Sequence, residues 1–458
     1  MIGALVGIGL PAMAAWIAAR RLSPARVVRG EDLAVTLAIA FGLASVVWPG
    51  LLLLGATSRA VVLTGDVIVW VAIISALTLS RRASGERARQ PPTATPASAP
   101  HPQWRATAAV LILLPIAALA IASFAASSAV APHGEWDAWA QWNLRARFFF
   151  RGVTGPWRQA FAPVLAWSHP DYPPLVSASI ARAWLYAGSE SVVAPILFAA
   201  GSAATIVIAA AASVGRVHGA GRACLTAAAI LACPSFVRYA PAQCADVPLA
   251  AFMLLAFIAA GQAAHSSDAR WWWGTAGMSA ALAAWTKNEG AAFFVVFTLA
   301  AIVAMLRSGG FAALRVLAPF ALGAAPVLVA LLVFKRVLAP PSYFVAEQSL
   351  AGAAANLFTA ARVHAVATAM ARELWFSGAT VVGVVPAMAL IVGTRGMARP
   401  ADAGARAAWP VMAAMIVAYM AAYLVSPKDL GWQLATSLDR VVMQMVPTIV
   451  WAAMMIAR

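Results

Sequence analysis

Long apolar runs alternate with short polar segments along almost the whole chain. Most runs are roughly 15 to 25 residues long, which is the length an α-helix needs to cross the hydrocarbon core of a bilayer. The pattern therefore predicts an all-α polytopic membrane protein. We place thirteen transmembrane helices, at residues 1–19, 33–54, 60–80, 106–130, 191–213, 223–236, 246–263, 272–286, 291–306, 316–334, 376–393, 409–425 and 442–457.

The first apolar run indicates the orientation of the chain. No Lys or Arg precedes it, and Arg20 and Arg21 follow it. A cleavable signal peptide has its basic residues first, so we predict a retained first helix with its N-terminus outside. Thirteen spans then leave the C-terminus in the cytoplasm. Most of the excess positive charge falls in the predicted inner segments, as the positive-inside rule requires.

The composition excludes a water-soluble globule. Of 458 residues, 63% are hydrophobic and 10% are charged, and the mean hydropathy is +0.82. The net charge of +16 does not indicate nucleic-acid binding, because the arginines lie in short loops between apolar spans. Three cysteines without CxxC spacing indicate neither a disulfide framework nor a thiolate metal site. Abundant Arg and Ala favour a GC-rich bacterial gene, so we expect a multi-pass protein of the bacterial inner (plasma) membrane.

Residues 81–105 are rich in Pro, Ala and Arg and have no apolar period, which predicts a flexible cytoplasmic linker. The linker separates three accessory helices in residues 1–80 from a module at 106–337, which contains a large outer loop at 131–190. Residues 338–458 are predicted to form a second, mobile outer loop and the C-terminal helices. We find no convincing internal repeat, which disfavours an inverted-repeat transporter.

The first outer loop gathers carboxylates, arginines, histidines and tryptophans, which marks a functional site because acidic groups near lipid are costly. In its first part, Asp137, Gln141 and Arg145 recur every four residues, which predicts an amphipathic helix at the membrane surface. Past His169 and Asp171, two prolines predict the start of a second short helix at 175–186.

Other predicted outer edges carry similar groups, and all are expected to converge on one face of the membrane. These edges contain Asp246, Lys287 and Glu289, the segment 338–375, and Arg440.

The order of these motifs resembles the C-type (GT-C) membrane glycosyltransferases. It is most similar to the bacterial branch related to protein O-mannosyltransferases and the aminoarabinose transferase of lipid A. The motifs are an Asp in a large first outer loop, Asp171-Tyr172-Pro173-Pro174, Asp246-Val247-Pro248, Thr286-Lys287-Asn288-Glu289-Gly290, and a late Ser437-x-x-Arg440 followed by Pro447. The resemblance covers roughly 106–458. The chain departs from the family in its three leading helices and in having Gly134-Glu135-Trp136-Asp137 where relatives often carry adjacent acids.

The resemblance implies a GT-C-like fold and an inverting transfer of a sugar from a polyprenyl-phosphate carrier to an envelope lipid, glycan or protein on the extracytoplasmic face. Asp137 would be the base, although Glu135 remains an alternative, and Lys287 and Arg440 would bind the donor phosphate. A carboxylate suits a general base, and cations suit a departing phosphate. Expected supporting residues are Glu135, Arg145, His169, Asp171, Asp246 and Glu289. No cofactor or divalent metal is expected.

Each residue also has a structural interpretation. Asp137 and Asp246 could cap helices, and Asp171 could form a turn. Lys287 could extend its charge from a helix end to the membrane surface, and Arg440 could pair with Asp439. Arg145, Arg147 and Arg151 are interpreted as lipid headgroup contacts, and the tryptophans as interface anchors.

Two other functions are open from the sequence alone. A lipid-linked sugar flippase or exporter would be expected to carry charges at mid-membrane and paired broken helices. A non-catalytic envelope-assembly protein could use residues 1–105 for docking.

Overall fold

The computed structural model describes residues 2–22, 29–83, 103–264, 266, 268–342, 346–379, 382–397 and 402–458. These residues are helical and contain no strands, apart from one isolated bridge between Met397 and Ala457. The α-helices are α1 (Ile2–Leu22), α2 (Gly30–Leu53), α3 (Arg59–Ala83), α4 (Gln103–Val130), α5 (Asn143–Arg151), α6 (Leu175–Ala187), α7 (Val193–His218), α8 (Ala220–Leu231), α9 (Pro234–Tyr239), α10 (Asp246–Ala263), α11 (Ala269–Thr286), α12 (Asn288–Ala313), α13 (Ala318–Val337), α14 (Leu350–Leu357), α15 (Ala360–Phe376), α16 (Val384–Arg395), α17 (Ala403–Val425) and α18 (Leu430–Ile456).

Nine helices in the described part of the chain are long and apolar enough to cross a membrane. They comprise α2, α3, α4, α7, α10, α12, α13, α17 and α18. The apolar parts of α1, α8 and α16 are shorter. The prediction of a helical membrane protein is therefore confirmed, whereas thirteen spans and a GT-C-like fold stay predictions.

Among the predicted spans whose bounds differ from the structure, three have an identifiable cause. The last span extends back to Leu430, because polar residues such as Gln433 and Gln444 face the protein interior and interrupt the apolar pattern. The span at 376–393 is interrupted after α15, where Ser377 adopts a φ of +47°. The span at 223–236 divides because Pro234 begins a new helix, α9.

Helix α10 is the centre of the molecule. Every residue from Asp246 to Ala263 is buried, which is typical of a helix that is apolar all round. Helices α7, α11, α17 and α18 pack around it. Asp246, the first residue of α10, is therefore held in place by the surrounding core.

Helices α11 and α13 cross closely through glycines. A Cβ on Gly277 would lie 2.0 Å from the carbonyl oxygen of Phe320, and a Cβ on Gly323 would lie 2.0 Å from that of Gly274. Small residues of this kind allow the backbones of membrane helices to approach. The crossing fixes the position of α11, which ends just before Lys287.

The leading helices pack against the rest of the chain. The Trp48 indole on α2 donates a 2.7 Å hydrogen bond to the carbonyl oxygen of Ala178 on α6. A buried ion pair joins Asp66 on α3 to Arg182 on α6 (2.6 Å), and Arg182 also donates to the carbonyl oxygen of Gly7 on α1 (2.8 Å). Residues 1–80 thus share an interface with the predicted catalytic module.

The predicted linker at 81–105 and the predicted outer loop at 338–375 have different outcomes. Most of the predicted linker 81–105 lies outside the described residues, and its ends belong to α3 and α4. The predicted outer loop at 338–375 contains two helices, α14 and most of α15, rather than irregular chain alone. Arg362 fastens α15 to the end of α17 by donating to the carbonyl oxygens of Tyr423 (2.8 Å) and Ser426 (2.9 Å).

Candidate functional site

Four parts of the chain meet at one end of the helix bundle. They are the segment 131–174, the N-terminus of α10, the turn between α11 and α12, and one face of α18. These are the segments whose motifs were singled out in the sequence. The side chains they bring together form a continuous network of acids, cations and amides.

Asp137 and Arg440 form a direct ion pair although they are 303 residues apart. Asp137 precedes a π-helical turn, Ala138–Trp142, and its side chain makes no capping hydrogen bond there. Arg440 contacts Asp439 through its backbone N–H, which donates to Oδ1 at 2.9 Å. The structure therefore disfavours both structural interpretations, the helix cap for Asp137 and the Asp439 pair for the Arg440 side chain.

A tight turn fixes the chain just before Asp137. Gly134 has a φ of +77°, and a Cβ there would lie 2.6 Å from the carbonyl oxygen of Ala242, so glycine is needed at this close approach. Next to the turn, the Asn143 amide donates to the Gln243 side chain and to the carbonyl oxygen of His133, each at 3.1 Å. These contacts hold the segment against the loop that leads into α10.

Lys287 lies in the turn between α11 and α12 and is buried. Its Nζ is 3.0 Å from Asp246 Oδ1 and 2.9 Å from Glu289 Oε1. Burial lowers the pKa of Lys287, but the carboxylates of Asp246 and Glu289 outweigh it and raise that pKa well above its ordinary value. Lys287 is therefore a paired cation inside the protein, and the interpretation of a side chain reaching out to the membrane surface is wrong.

Asp246 interacts electrostatically with both cations. Its Oδ1 accepts hydrogen bonds from Lys287 and, at 2.6 Å, from Gln444, one helical turn after Arg440 on α18. The hydroxyl of Tyr419 on α17 donates to Gln444 Oε1 at 2.7 Å and so sets the orientation of that amide. The residue at the N-cap of α10 is Ala245, and Asp246 Oδ1 bonds to side chains of other elements, so the structure disfavours the capping interpretation for Asp246.

Asp171 fastens the first loop to the turn that carries Lys287. Its Oδ2 accepts a 2.7 Å hydrogen bond from Asn288, the residue after Lys287. Lys335, near the end of α13, donates to the Asp171 carbonyl oxygen (2.6 Å) and to Asn288 Oδ1 (2.8 Å). Asp171 therefore acts as a brace and not only as a turn former.

Arg145 is buried, so its interpretation as a headgroup contact is wrong. Its guanidinium donates to the backbone carbonyl oxygens of Tyr172 (2.7 Å) and His169 (2.8 Å). Burial lowers the pKa of Arg145 to about 10, with Asp171 acting in the opposite direction, so the side chain remains a cation at neutral pH. Arg145 holds the turn that contains Asp171.

Aromatic rings line the same turn. The ring of Tyr172 stacks with the rings of Trp142 (5.8 Å between centroids) and His169 (5.3 Å), and Lys287 Nζ lies 5.8 Å from its centroid. Burial lowers the pKa of His169, while Asp171 and the more distant carboxylate of Asp137 raise it less. The imidazole is therefore neutral at neutral pH.

The three predicted interface tryptophans separate into two groups. Trp136 and Trp139 are exposed, and their rings contact each other at 4.3 Å in an edge-to-face arrangement beside Asp137. Trp142 is buried in the core, so its interpretation as an interface anchor is wrong. Glu135 is exposed, and its backbone N–H donates to the carbonyl oxygen of Ala242.

The network alternates in charge, in the order Asp137, Arg440, Asp246, Lys287 and Glu289. Two cations at a bundle end can bind an anion, and a half-buried carboxylate beside them can accept a proton. Two polar atoms, Arg440 Nε and Glu289 Oε2, are buried and have no hydrogen-bond partner among the described residues. Across those residues, no three His, Cys, Asp or Glu side chains form a metal-binding group.

Three members of the network were not predicted as site residues: Gln444, Asn288 and Lys335. Gln444 follows Arg440 by four residues, a spacing that places both on one helix face. Asn288 adjoins Lys287, and Lys335 follows the end of the predicted span 316–334. Their partners lie far away in the sequence, and the sequence carries no signal for those pairings.

Comparison with known proteins found no match: no protein-family model fits the sequence, and neither a curated protein nor a solved structure is significantly similar to the chain.

Proposed function

We propose that the protein is an inverting glycosyltransferase that moves a sugar from a polyprenyl-phosphate carrier to a hydroxyl group of an envelope lipid, glycan or protein. The observation that supports this best is the ion pair between Asp137 and Arg440, together with the ion pair of Lys287 with Asp246, whose carboxylate interacts electrostatically with both cations. It joins a potential general base to two potential phosphate-binding cations at one end of a membrane bundle. In this proposal the site faces the extracytoplasmic side of a bacterial inner membrane.

The residues suit the bond changes of such a reaction. Asp137 accepts the proton of the acceptor hydroxyl, while the oxygen of that hydroxyl forms a bond to the anomeric carbon. The bond from that carbon to the phosphate oxygen breaks on the opposite face, and its electron pair leaves with the lipid phosphate. Lys287 and Arg440 stabilise the charge that develops on this leaving group. One displacement of this kind inverts the anomeric centre.

The surroundings of the site suit a lipid-borne substrate. Trp136 and Trp139 are exposed next to Asp137, and tryptophan is enriched where proteins meet the interface between lipid and water. A polyprenyl chain beside these rings would remain in the membrane while its phosphate reached the cations.

The test is sugar transfer by the purified full chain in liposomes, with a panel of polyprenyl-phosphate sugars and envelope acceptors analysed by mass spectrometry. Removing a general base lowers the rate by about 10²- to 10⁴-fold, and we expect a loss of this size for Asp137→Asn. Glu135→Gln changes the alternative base two residues away, and it should keep most of the activity if Asp137 is the base. Full activity of Asp137→Asn would exclude Asp137 as the base.

The same liposomes distinguish the transporter alternative. If the lipid-linked sugar crosses the sealed bilayer with its bonds unchanged, and no acceptor gains mass, the protein is a flippase or exporter and not a transferase.

A further inference from the structure

We propose that Asp137 and Glu289 are exchangeable counter-ions of the two cations, and that a lipid phosphate displaces them, so that the base is released only when the donor binds. This rests on the proposed function, because it takes the phosphate of a lipid-linked donor as the competing anion. It adds an order to the reaction, in which donor binding precedes activation of the acceptor.

The three carboxylates of the network differ in accessibility. The Asp246 side chain is 2% exposed, whereas those of Asp137 and Glu289 are each 22% exposed. Asp246 also accepts a hydrogen bond from Gln444, which is held in turn by Tyr419. Asp246 is therefore the fixed counter-ion, and an incoming anion can reach the other two.

The cations have the capacity to exchange partners. Arg440 contacts Asp137 through Nη1, while its Nε is buried without a hydrogen-bond partner among the described residues. A guanidinium presents a planar fork that binds two oxygens of a phosphate at once. A phosphate at this fork would use the idle Nε together with an Nη group, which gives it two charge-assisted hydrogen bonds.

On the Lys287 side, Glu289 makes its ion pair through Oε1, and its Oε2 is buried without a hydrogen-bond partner in the described chain. The pair thus leaves one carboxylate oxygen desolvated and unused, which is unfavourable. A phosphate oxygen that replaces Glu289 on Nζ lets this side chain turn to solvent.

Release of Asp137 has a chemical consequence. In the ion pair, Asp137 Oδ2 is occupied by the hydrogen bond from Arg440. When the phosphate takes Arg440, this oxygen is free to accept a hydrogen bond from the acceptor hydroxyl beside the anomeric carbon. The proton then moves from the acceptor oxygen to Asp137, as in the proposed reaction.

The experiment measures the affinity of the full chain in nanodiscs for a short-chain polyprenyl monophosphate. Removing a competing carboxylate should tighten binding, so we expect Asp137→Asn to bind the probe about 5- to 30-fold more tightly than wild type. Glu289→Gln, at an equally exposed position, should also tighten binding and serves as a second variant if Asp137→Asn folds poorly.

The matched control is Asp439→Asn, which removes the same charge from the residue next to Arg440. Asp439 accepts from the Tyr239 hydroxyl and lies 3.4 Å from Arg238. Competition predicts that this variant binds the probe as wild type does, whereas a general electrostatic effect predicts equal tightening for both variants.

Equal or weaker binding by both Asp137→Asn and Glu289→Gln, or tightening that Asp439→Asn reproduces, would overturn the counter-ion exchange and leave the proposed function standing. Failure of wild type and every variant to bind the probe would overturn the exchange together with the proposed function. If Asp137→Asn binds the probe more tightly but the wild-type protein transfers no sugar, the exchange is supported and only the transferase function is contradicted.

Discussion

His169 is a titratable group whose environment gives a stability prediction. It is half-buried in the turn that precedes Asp171, and burial lowers the pKa of its imidazole below the ordinary value. The unfolded chain therefore binds a proton at a higher pH, near the ordinary value of about 6.5, than the folded chain does. Since the unfolded state binds more protons in this window, the free energy of unfolding should decrease as the pH falls below about 6.5.

His169→Gln should reduce this acid sensitivity. We expect the fall in Tm between about pH 7 and about pH 5 to be smaller than in wild type, because the group that must remain neutral has been removed. The control His364→Gln replaces an exposed histidine and should follow the wild-type curve. An identical fall for wild type and His169→Gln would contradict the prediction.

The candidate residues themselves could be picked out from the sequence, whereas their contacts could not. Asp137, Lys287 and Arg440 were singled out as charges in an apolar chain and through motifs that resemble those of a known family. Nothing in the sequence indicated that Arg440 would face Asp137 instead of its neighbour Asp439. The burial of Arg145 was also missed. Polar residues at every fourth position give the same sequence pattern whether that face of the helix contacts water or, as here, backbone carbonyl groups.

At the scale of elements, α11 and α13 cross closely enough for a single methyl group to matter. A Cβ on Gly277 would collide with the backbone oxygen of Phe320, which cannot rotate away as a side chain would. Gly277→Ala should therefore force the helices apart and lower the free energy of unfolding by about 1–3 kcal/mol. Because α11 leads to Lys287, sugar transfer should fall as well.

Gly201→Ala is the matched control. Gly201 lies within α7, and no atom lies within 4 Å of the position that its Cβ would take. Alanine is the better helix former by about 1 kcal/mol, so this variant should unfold at the same or a higher temperature. Thermal unfolding in detergent checks both variants, and a Gly277→Ala protein as stable as Gly201→Ala would mean that the crossing tolerates a methyl group.

Helix existence followed from the apolar runs, but helix ends did not. The start of α18 was missed because polar residues such as Gln433 and Arg440 interrupt the apolar pattern, although they are part of the helix. The second short helix was confirmed, since the structure has it at Leu175–Ala187. A proline marks the start of a helix whether the helix lies in lipid or in water. A polar residue marks the end of a membrane span only if its side chain would face lipid.

At the scale of the whole molecule, the question is whether residues 1–80 are a separate module. Asp66 is buried, and it pairs with Arg182 and accepts a 2.6 Å hydrogen bond from the Tyr186 hydroxyl. Removing one partner of a buried pair leaves an uncompensated charge, so Asp66→Ala should lower the free energy of unfolding by about 3–5 kcal/mol. The variant should unfold in a single transition, and binding of the polyprenyl monophosphate probe should be lost in that same transition.

The control for this variant is Glu347→Ala, which breaks the more exposed pair with Lys428 (2.6 Å). An exposed pair contributes about 0–1 kcal/mol, so the unfolding temperature should barely change. If Asp66→Ala produced a separate early transition with probe binding intact, the leading helices would form an independent module, as a docking role requires.

The π-helical turn at Ala138–Trp142 has a genetic consequence. Such a turn contains one residue more than the α-helix into which it is inserted. Loss of a single codon from this stretch would let it relax into an uninterrupted α-helix. Trp136 and Asp137, just upstream of the deletion, would then rotate by about 100° and shift by about 1.5 Å relative to α5. Arg145 would keep its position, while the Asp137 side chain would turn away from Arg440. An in-frame deletion of three nucleotides would thus separate this ion pair and leave the membrane helices in place.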